Sequence, residues 1–329
     1  MKKVLFMISV AAVTFASCSN ESTEYVGSGP EQTEIAFMPV SQKPTRGQYA
    51  VITSTFPTNN TMEVKAYKTQ PSPAAYFDKC TFSKGSGDTW KGGKYWPLGV
   101  SKLNFFAVSG YGLTESHITI ADELASAGVA YTTANSYSAT TQSDIMYAFG
   151  RGAVTQSGSS LNFPTVSMEF KHALALVDFE VKGNSATEAS AITVNSITLK
   201  GATYNGTLTL TNTNAASESD AVTTAVSWSA GDPVATQTVP GISASTAITT
   251  SMTRIGNGLM VIPGTGFTSF VINYTMGGDS YDYEYTPDPA VTTTANNKYT
   301  YQITFTLHEI EIAPTVSTWT NTNTPVNIP

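Results

Sequence analysis

Apolar and polar residues alternate at every second position along much of the chain, and this pattern predicts β-strands. Segments rich in Gly, Ser, Thr and Asn separate the alternating runs and favour turns and loops. One run, residues 103–108 (LNFFAV), is apolar on both faces and predicts a central strand with neighbours on both sides. The other clear runs lie at residues 62–67, 173–181, 267–276, 281–285 and 299–307. Together these runs predict an all-β fold.

Several turn residues predict which strands pair. Residues 192–199 and 204–210 are expected to form a pair around a turn at Gly201. Residues 259–262 and 267–276 are expected to form another pair, with a turn at Pro263-Gly264, and the glycine-rich residues 277–279 (GGD) separate the latter run from the alternating run at residues 281–285. The apolar phase changes after residue 307, which predicts a β-bulge near His308.

The length and strand spacing predict the domain organisation. Many short strands with frequent turns favour β-sandwiches, and 329 residues are enough for two of them in tandem. The boundary is expected in the loop-rich residues 150–165, which gives an N-terminal domain at 47–165 and a C-terminal domain at 166–329. Residues 119–127 predict a short helix capped by Asp122 or Thr119.

The first strand is expected at the start of residues 33–47 (TEIAFMPVSQKPTRG). Ile35 and Phe37 alternate with Ala36 and Met38, so both faces are apolar and the strand is expected to be buried between two neighbours. Turn-forming residues then surround Arg46 and Gly47, which predicts an exposed loop. The segment is therefore either a removable strand with a cleavable loop, or an ordinary first strand followed by a surface arginine.

The N-terminal 17 residues predict an export signal. Two lysines precede an apolar run, residues 4–16, that is too short to span a membrane. The run ends in Phe15-Ala16-Ser17-Cys18, which is similar to a bacterial lipoprotein box with Phe15 in the usual place of leucine. Lipidation of Cys18 is expected, with plain secretion as the alternative, and the polar residues 19–32 predict a flexible tether. A lipidated Cys18 leaves Cys80 without an intramolecular disulfide partner, so stability must come from core burial.

Composition and missing motifs exclude several functions. Charged residues make up only 12% of the chain and its net charge is −7, which argues against nucleic acid as a partner. The sequence contains no P-loop, dinucleotide fingerprint, HExxH or GxSxG motif. We therefore expect no enzymatic activity, no cofactor and no catalytic or metal-binding residues.

A few residue groups allow two interpretations each. His172 is expected to make a structural hydrogen bond in a strand, with a catalytic role as the alternative, and Cys80 is expected to be a packed thiol. The acidic residues 279–288 favour a solvated strand face over a calcium site, because their spacing does not match an EF-hand. The aromatic residues at 90, 95 and 96 favour core packing over a sugar-stacking platform.

Several stretches together resemble the fimbrillin family, the Mfa-like type V pilins of anaerobic Gram-negative bacteria. They cover most of the chain behind the lipoprotein-like signal, and their order and spacing carry the resemblance. The stretches are Tyr95-Trp96-Pro97 with residues 103–108, residues 143–148 (SDIMYA), residues 170–175 (FKHALA), residues 298–301 (KYTY) and Trp319.

The resemblance implies two tandem transthyretin-like β-sandwich domains and no catalytic residues. It also implies export as an outer-membrane lipoprotein, with residues 18–46 as a lipid-anchored propeptide. A trypsin-like surface protease would cut after Arg46, which would remove the first strand and open a groove. The C-terminal strand of another pilus subunit would then fill the groove in a cell-surface fimbrium that supports adhesion to a host or bacterial surface ligand.

The C-terminal tail is the expected donor strand. It follows the last strongly alternating strand, and four of its residues share one parity along residues 316–329: Thr322, Thr324, Val326 and Ile328. Val326 and Ile328 would supply most of the apolar contact in the groove. The alternative function is a surface-anchored, glycan-binding lipoprotein.

Overall fold

The computed structural model describes residues 33–41, 61–69, 74–85, 89–97, 102–110, 118–120, 129–132, 144–204, 206–213, 222–243, 245–307, 310–319 and 326–327. Strands dominate these residues, which confirms the predicted all-β fold class. In this part of the chain the only helix is α1, Ala186–Ala191, whose N-cap residue Ser185 accepts a hydrogen bond from the backbone N–H of Glu188. None of the described residues forms a helix with the length and apolar character needed to cross a membrane.

The strands of the N-terminal half begin with the predicted first strand. In chain order they are β1 Glu34–Ser41, β2 Met62–Lys68, β3 Ala74–Lys84, β4 Trp90–Tyr95, β5 Lys102–Gly110, β6 Ile118–Ile120, β7 Val129–Thr132, β8 Ile145–Ala153, β9 Thr155–Ser157, β10 Ser160–Asn162 and β11 Val166–His172.

The strands of the C-terminal half follow. They are β12 Ala175–Gly183, β13 Ile192–Lys200, β14 Gly206–Thr213, β15 Thr223–Ala230, β16 Thr236–Thr238, β17 Thr246–Ala247, β18 Thr253–Arg254, β19 Leu259–Val261, β20 Gly266–Phe267, β21 Ser269–Met276, β22 Asp279–Tyr285, β23 Val291–Thr292, β24 Asn297–Phe305, β25 Ile310–Thr318 and β26 Val326–Asn327.

Seven strands of the N-terminal half form a closed barrel in the order β1-β11-β8-β5-β2-β3-β4. β5 lies between β2 and β8, and its side chains from Leu103 to Ser109 are buried, which confirms the predicted central strand. The barrel core contains the aromatic rings of Phe37, Phe82 and Phe105. Among the described strands, β1 completes the ring by joining β4 to β11.

Two facing sheets of the C-terminal half enclose a second core. One sheet has the order β18-β12-β24-β25-β26, and the other has the order β16-β13-β21-β22. The rings of Phe179, Phe270 and Tyr301 meet at the centre, with the centroid of Phe270 5.0 Å from those of both other rings. This arrangement is a β-sandwich, in which the apolar faces of both sheets turn inward.

A shared sheet and a shared core join the two halves. β7 of the N-terminal half pairs with β14 of the C-terminal half in the sheet β15-β14-β7-β6. A third apolar cluster brings Tyr67 and Phe106 together with Leu208, Met260 and Trp319. The halves are therefore packed against each other through buried side chains.

The strand pairing corrects the expected domain boundary. Residues 150–165 do not separate the two sets of strands, because β8 continues to Ala153. β11, which was expected to begin the C-terminal domain at residue 166, pairs with β1 and β8 and belongs to the barrel. The barrel therefore continues to His172, and the second set of strands begins with β12.

Three local predictions also need correction. The expected pairs around Gly201 and around Pro263-Gly264 are wrong, because β13 and β14 belong to different sheets, and so do β19 and β21. The β-bulge expected near His308 lies outside the described residues, and on either side of it β24 and β25 pair in an unbroken antiparallel register. The helix expected from residue 119 is wrong at its start, where Ile118–Ile120 form β6, and residues 121–128 lie outside the described residues.

Candidate functional site

β1 occupies a slot between two strands that do not otherwise meet. On one side it pairs antiparallel with β4, where Phe37 lies opposite Trp90. On the other side it pairs in parallel with β11, from Phe37 opposite Val166 to Ser41 opposite Phe170. Removal of β1 would therefore leave two strand edges with unpaired backbone groups and would open the barrel.

One face of β1 fills the barrel core. Ile35 and Phe37 are fully buried, and the Phe37 ring makes edge-to-face contacts with Phe82 and Phe105 at centroid distances of 4.8 and 4.9 Å. The expectation that both faces are buried is wrong, since Met38 on the other face is 45% exposed and Ala36 is only partly buried. β1 has a strand neighbour on each edge, β4 and β11, as predicted. Solvent, however, reaches the face of β1 that carries Met38.

The start of β1 is tied to the end of β4 by polar contacts. The Glu34 carboxylate lies 3.1 Å from the Lys91 ammonium and accepts a hydrogen bond of 3.0 Å from the backbone N–H of Gly93. The carbonyl of Thr33 accepts another of 3.0 Å from the backbone N–H of Trp96. These contacts hold the N-terminal end of the strand in register.

Trp96 forms part of the wall around β1. Its side chain is 2% exposed and packs edge-to-face against Phe105, with ring centroids 5.9 Å apart. A Cβ atom at Gly152 would lie 2.4 Å from the Trp96 ring, so glycine is needed there. Trp90 is buried as well, while Tyr95 is 42% exposed. The two tryptophans therefore pack in the core, as one of the two interpretations predicted.

A second cluster of polar and aromatic groups lies where β11 ends. His172 and Asp144 are both buried, and the His172 Nδ1 atom is 2.9 Å from the Asp144 carboxylate. The His172 ring also stacks on the Trp319 ring, with centroids 3.8 Å apart and planes 8° from parallel. His172 thus makes the structural hydrogen bond that the sequence predicted, in a packed environment.

Asn296 connects three segments at this point. Its side-chain oxygen accepts a hydrogen bond of 3.1 Å from the His172 backbone N–H, and its own N–H donates to the Leu174 carbonyl at 3.0 Å. Its carbonyl accepts a hydrogen bond from the backbone N–H of Trp319. Asn296 has a positive φ of 62°, which asparagine tolerates better than most residues. We call Asp144, His172, Asn296 and Trp319 the junction cluster.

A comparison with protein-family models matches residues 45–319 to the fimbrillin-like family. The chain belongs to the fimbrillin-like family. No curated protein matches the sequence. Solved structures share the fold, and two of them are described as cell adhesion proteins. The one from Bacteroides uniformis is 14% identical, covers 87% of this chain and 99% of its own, and has a TM-score of 0.52. The one from Bacteroides ovatus is 12% identical, the match covers 88% of this chain and 99% of the other chain, and the TM-score is 0.53.

Most of the stretches that first suggested the fimbrillin-like family lie at β1 or in the junction cluster. Phe105 of residues 103–108 packs on Phe37 of β1, while residues 143–148, residues 170–175 and Trp319 supply three of the four junction residues. Residues 298–301 belong instead to β24. Sequence reasoning missed that these stretches are neighbours, and it missed Asn296 altogether. The only local signal was the Asn296-Asn297 pair, which favours a turn.

The C-terminal tail of this fimbrillin-like chain folds back onto its own sandwich at the described positions. β25 pairs with β24 on one edge, and on the other edge Val316 and Thr315 lie opposite Val326 and Asn327 of β26. The predicted donor residues Thr322, Thr324 and Ile328 lie outside the described residues, as do the lipidation site Cys18 and the cleavage site Arg46-Gly47.

The acidic residues of β22 are engaged with polar neighbours. Glu284 accepts hydrogen bonds from Ser269 at 2.5 Å and from Lys200 at 2.9 Å. Both bonds lower the pKa of the Glu284 carboxyl group, and the bond from Ser269 has the larger effect. Asp282 accepts a hydrogen bond of 2.7 Å from Asn273. Throughout the described ranges, no three His, Cys, Asp or Glu side chains are grouped so that they could hold a metal ion.

Cys80 is 3% exposed and packs in the barrel core.

Proposed function

We propose that this protein is a structural or accessory subunit of a cell-surface pilus that polymerises by strand exchange. In this proposal the chain is exported as an outer-membrane lipoprotein anchored through Cys18. A surface protease then cuts after Arg46 and releases the segment that contains β1. The C-terminal strand of another subunit, residues 322–328, fills the vacated slot, and the assembled pilus supports adhesion.

The observation that carries the proposal is the position of β1 in the barrel. It is paired on both edges, and its buried residues Ile35 and Phe37 contribute to the barrel core. Each buried backbone group left without a partner costs about 1–3 kcal/mol, so an empty slot would be strongly unfavourable. A donor strand would restore both the backbone hydrogen bonds and the apolar contacts.

The remaining support comes from the family and from the direction of β1. The chain belongs to the fimbrillin-like family, and the similar solved structures are described as cell adhesion proteins. The C-terminal end of β1 leads toward Arg46, five residues after Ser41 in the chain. Cleavage at that position would separate β1 from the rest of the barrel without cutting any other described strand.

Two variants test the proposal at opposite ends of the chain. Arg46→Ala keeps the slot closed, and deletion of residues 320–329 removes the donor. After treatment with an arginine-specific protease, wild-type protein should form a ladder of polymers on gels run without boiling, and neither variant alone should do so. Mixing them should not restore long polymers, because one lacks an open slot and the other lacks a donor.

Lys43→Ala is the matched control, since it removes a nearby positive charge but leaves Arg46 in place. It should polymerise like the wild type. An unchanged ladder from the tail deletion would show that another edge makes the contact between subunits. Retention of residues 18–46 on the cell, together with sugar binding by the monomer, would instead support a glycan-binding surface lipoprotein.

A further inference from the structure

A cavity of about 230 Å³ lies in the C-terminal sandwich. Its walls come from the end of β22 in one sheet, from β24 and residues 314–316 of β25 in the other sheet, and from residues 287–292 between them. The cavity is therefore separate from the β1 slot, which belongs to the N-terminal barrel. A cavity of about 150 Å³ is large enough to bind benzene, so this one has room for a single substituted six-membered ring.

The hydroxyl group of Tyr301 reaches this cavity without a partner of its own. Tyr301 is 1% exposed and lines the cavity wall. Within the described residues, its hydroxyl group makes no hydrogen bond. Buried tyrosine hydroxyls usually find a hydrogen-bond partner, because an unpaired polar group in the interior is unfavourable. A polar group of a ligand in the cavity would supply that partner.

Tyr285 and Tyr299 bring two more hydroxyl groups close to that of Tyr301. After the larger effect of burial, both tyrosines raise the pKa of Tyr301, which indicates that the three hydroxyl groups lie near one another. The Tyr299 hydroxyl is engaged, because it accepts a hydrogen bond from the Thr294 N–H and donates one to the Thr292 carbonyl. The Tyr285 hydroxyl has no partner among the described residues. Two hydroxyl groups, each able to donate and to accept, therefore remain for a ligand.

The rest of the wall narrows the class of ligand. Among the described residues, no Lys, Arg or His lines the cavity, and Asp288 does, so the site does not suit an anion. A quaternary ammonium ion needs a free aromatic face, but the Tyr301 ring stacks on Phe179 and is bordered edge-on by other rings. An aliphatic ligand would leave the hydroxyls of Tyr285 and Tyr301 unpaired. Apolar surface is nevertheless present, and it is supplied by Pro287, Pro289 and Pro314.

We propose that this cavity binds one pyranose unit of a neutral glycan through the hydroxyl groups of Tyr285 and Tyr301. A pyranose ring carries hydroxyl groups that donate and accept around an apolar C–H surface, which matches a wall of prolines with a few polar groups. The carboxylate of Asp288, which is exposed, provides a further acceptor. The inference rests on the proposed function and deepens it, because it names the class of ligand for adhesion.

The first test measures ligand binding to the uncleaved full chain by saturation-transfer NMR. The probes are the methyl pyranosides of glucose, galactose, mannose and N-acetylglucosamine. Tetramethylammonium, toluene and a triproline peptide serve as a cation, an apolar ring and a peptide for comparison. We expect at least one pyranoside to bind and the three comparison compounds not to bind. Binding of none of the pyranosides, or preferential binding of a comparison compound, would overturn the proposal.

The second test removes single hydroxyl groups. Tyr301→Phe and Tyr285→Phe should each weaken the binding of the pyranoside about three- to tenfold, as expected for the loss of one hydrogen bond. Tyr95→Phe is the matched control, because it removes the same group from an exposed site in the barrel, and it should bind like the wild type. Unchanged affinity in both cavity variants, or an equal loss in the control, would contradict the assignment.

A stability measurement separates a binding role of Tyr301 from a structural one. Since its hydroxyl has no partner among the described residues, Tyr301→Phe should not lower the midpoint of urea denaturation at neutral pH without sugar. A lower midpoint in the variant, together with unchanged affinity for the pyranoside, would show that the hydroxyl group serves the fold instead of a ligand.

The third test blocks the cavity. Ala290 lines the cavity and is exposed, so Ala290→Trp should fill the cavity and remove detectable binding. Ala235→Trp adds the same ring at an exposed site elsewhere and should leave binding unchanged. Wild-type affinity in the Ala290 variant would rule out this cavity as the sugar site.

The two proposals fail in different ways. If the wild type polymerises after cleavage but no pyranoside binds, strand exchange stands and the sugar site is wrong. If a pyranoside binds in the cavity but no polymer forms, the sugar site stands and strand exchange is wrong. Retention of residues 18–46 on the cell then decides whether the sugar site belongs to a surface-anchored lipoprotein.

Discussion

Phe37 and Phe179 hold comparable places in the two halves of the molecule. Each side chain is fully buried and makes edge-to-face contacts, Phe37 with Phe82 and Phe105, and Phe179 with Phe270. The difference lies in the strands that carry them. Phe37 is on a strand that we propose is removed, whereas Phe179 is on β12, a central strand of the sandwich. If β1 is removed as proposed, the same aromatic packing serves a replaceable contact in one half and a permanent core in the other.

We expect Tyr301 to make the sandwich sensitive to alkaline pH. Burial first, and then the neighbouring Tyr285 and Tyr299, raise the pKa of its hydroxyl above the ordinary value of about 10. A raised pKa in the folded state gives a stabilising contribution that is complete below about pH 10 and is lost as the pH rises further. Unfolding free energy should therefore fall as the pH rises above about 10, and fall less steeply in Tyr301→Phe.

Urea denaturation at about pH 9 and about pH 11 measures this difference. Tyr95→Phe is the control, because Tyr95 is 42% exposed. It should follow the wild-type pH dependence. Identical slopes for the Tyr301 variant and the wild type would contradict the assignment of the alkaline effect to Tyr301.

At the scale of strands, a glycine turn does not by itself determine which strands pair. Gly277 and Gly278 have positive φ values of 64° and 95°, and they form the two-residue turn between β21 and β22. Gly201 also has a positive φ, of 73°, yet β13 and β14 on either side of it enter different sheets. A glycine indicates that the chain turns, but the faces available for burial decide which strand it meets.

β1 offers a test of strand replacement with a short peptide. Once β1 has been cleaved and removed, a synthetic peptide of residues 33–41 should bind the open barrel. Phe37→Asp in the peptide should weaken binding at least about tenfold, because burial of such a side chain contributes about 1.5–3 kcal/mol. Met38→Asp is the matched control, since this neighbouring side chain is largely exposed.

Fluorescence polarisation of the labelled peptides measures the affinities. If both substitutions weaken binding equally, the peptide does not enter the slot in the register of β1. If the wild-type peptide does not bind, the barrel does not remain competent after the strand leaves.

At the scale of the whole molecule, the junction cluster places the base of the tail beside the barrel. Trp319 directly follows β25 and stacks on His172, the last residue of β11. β11 is also the strand that pairs with β1 along the slot. The base of the proposed donor tail therefore lies beside the end of a strand that forms the slot.

Asn296→Ala should weaken this connection. It removes the side-chain acceptor for the His172 N–H and places alanine at a positive φ, which together should lower the unfolding free energy by about 1–3 kcal/mol. Asn296→Gly loses the acceptor but tolerates the backbone conformation, so it should be less destabilising. Equilibrium denaturation of both variants checks the order, and equal stability of the alanine variant and the wild type would mean that the cluster does not hold the halves together.

The sequence by itself determined the all-β class, many of the strands and the apolar face of several of them. These properties are local, because side chains alternate across a strand and glycine pairs permit tight turns. The N-terminal strand was therefore visible from residues 33–41 alone, and its burial between two neighbours was foreseen. The exposure of Met38 was not, since an apolar residue carries no information about which face the fold will cover.

Only the tertiary structure decided which strands are neighbours. Phe37 pairs with Val166, which is more than a hundred positions further along the chain. Asn296 bonds to both His172 and Trp319, and no sequence pattern links these three residues. Parallel pairing requires a long connection between the strands, so no turn sequence announces it. The way complete sheets pack decides three features: the closure of the barrel by β1, the extension of that barrel to His172 and the shared core of the two halves. The alternation within a single strand does not encode this packing.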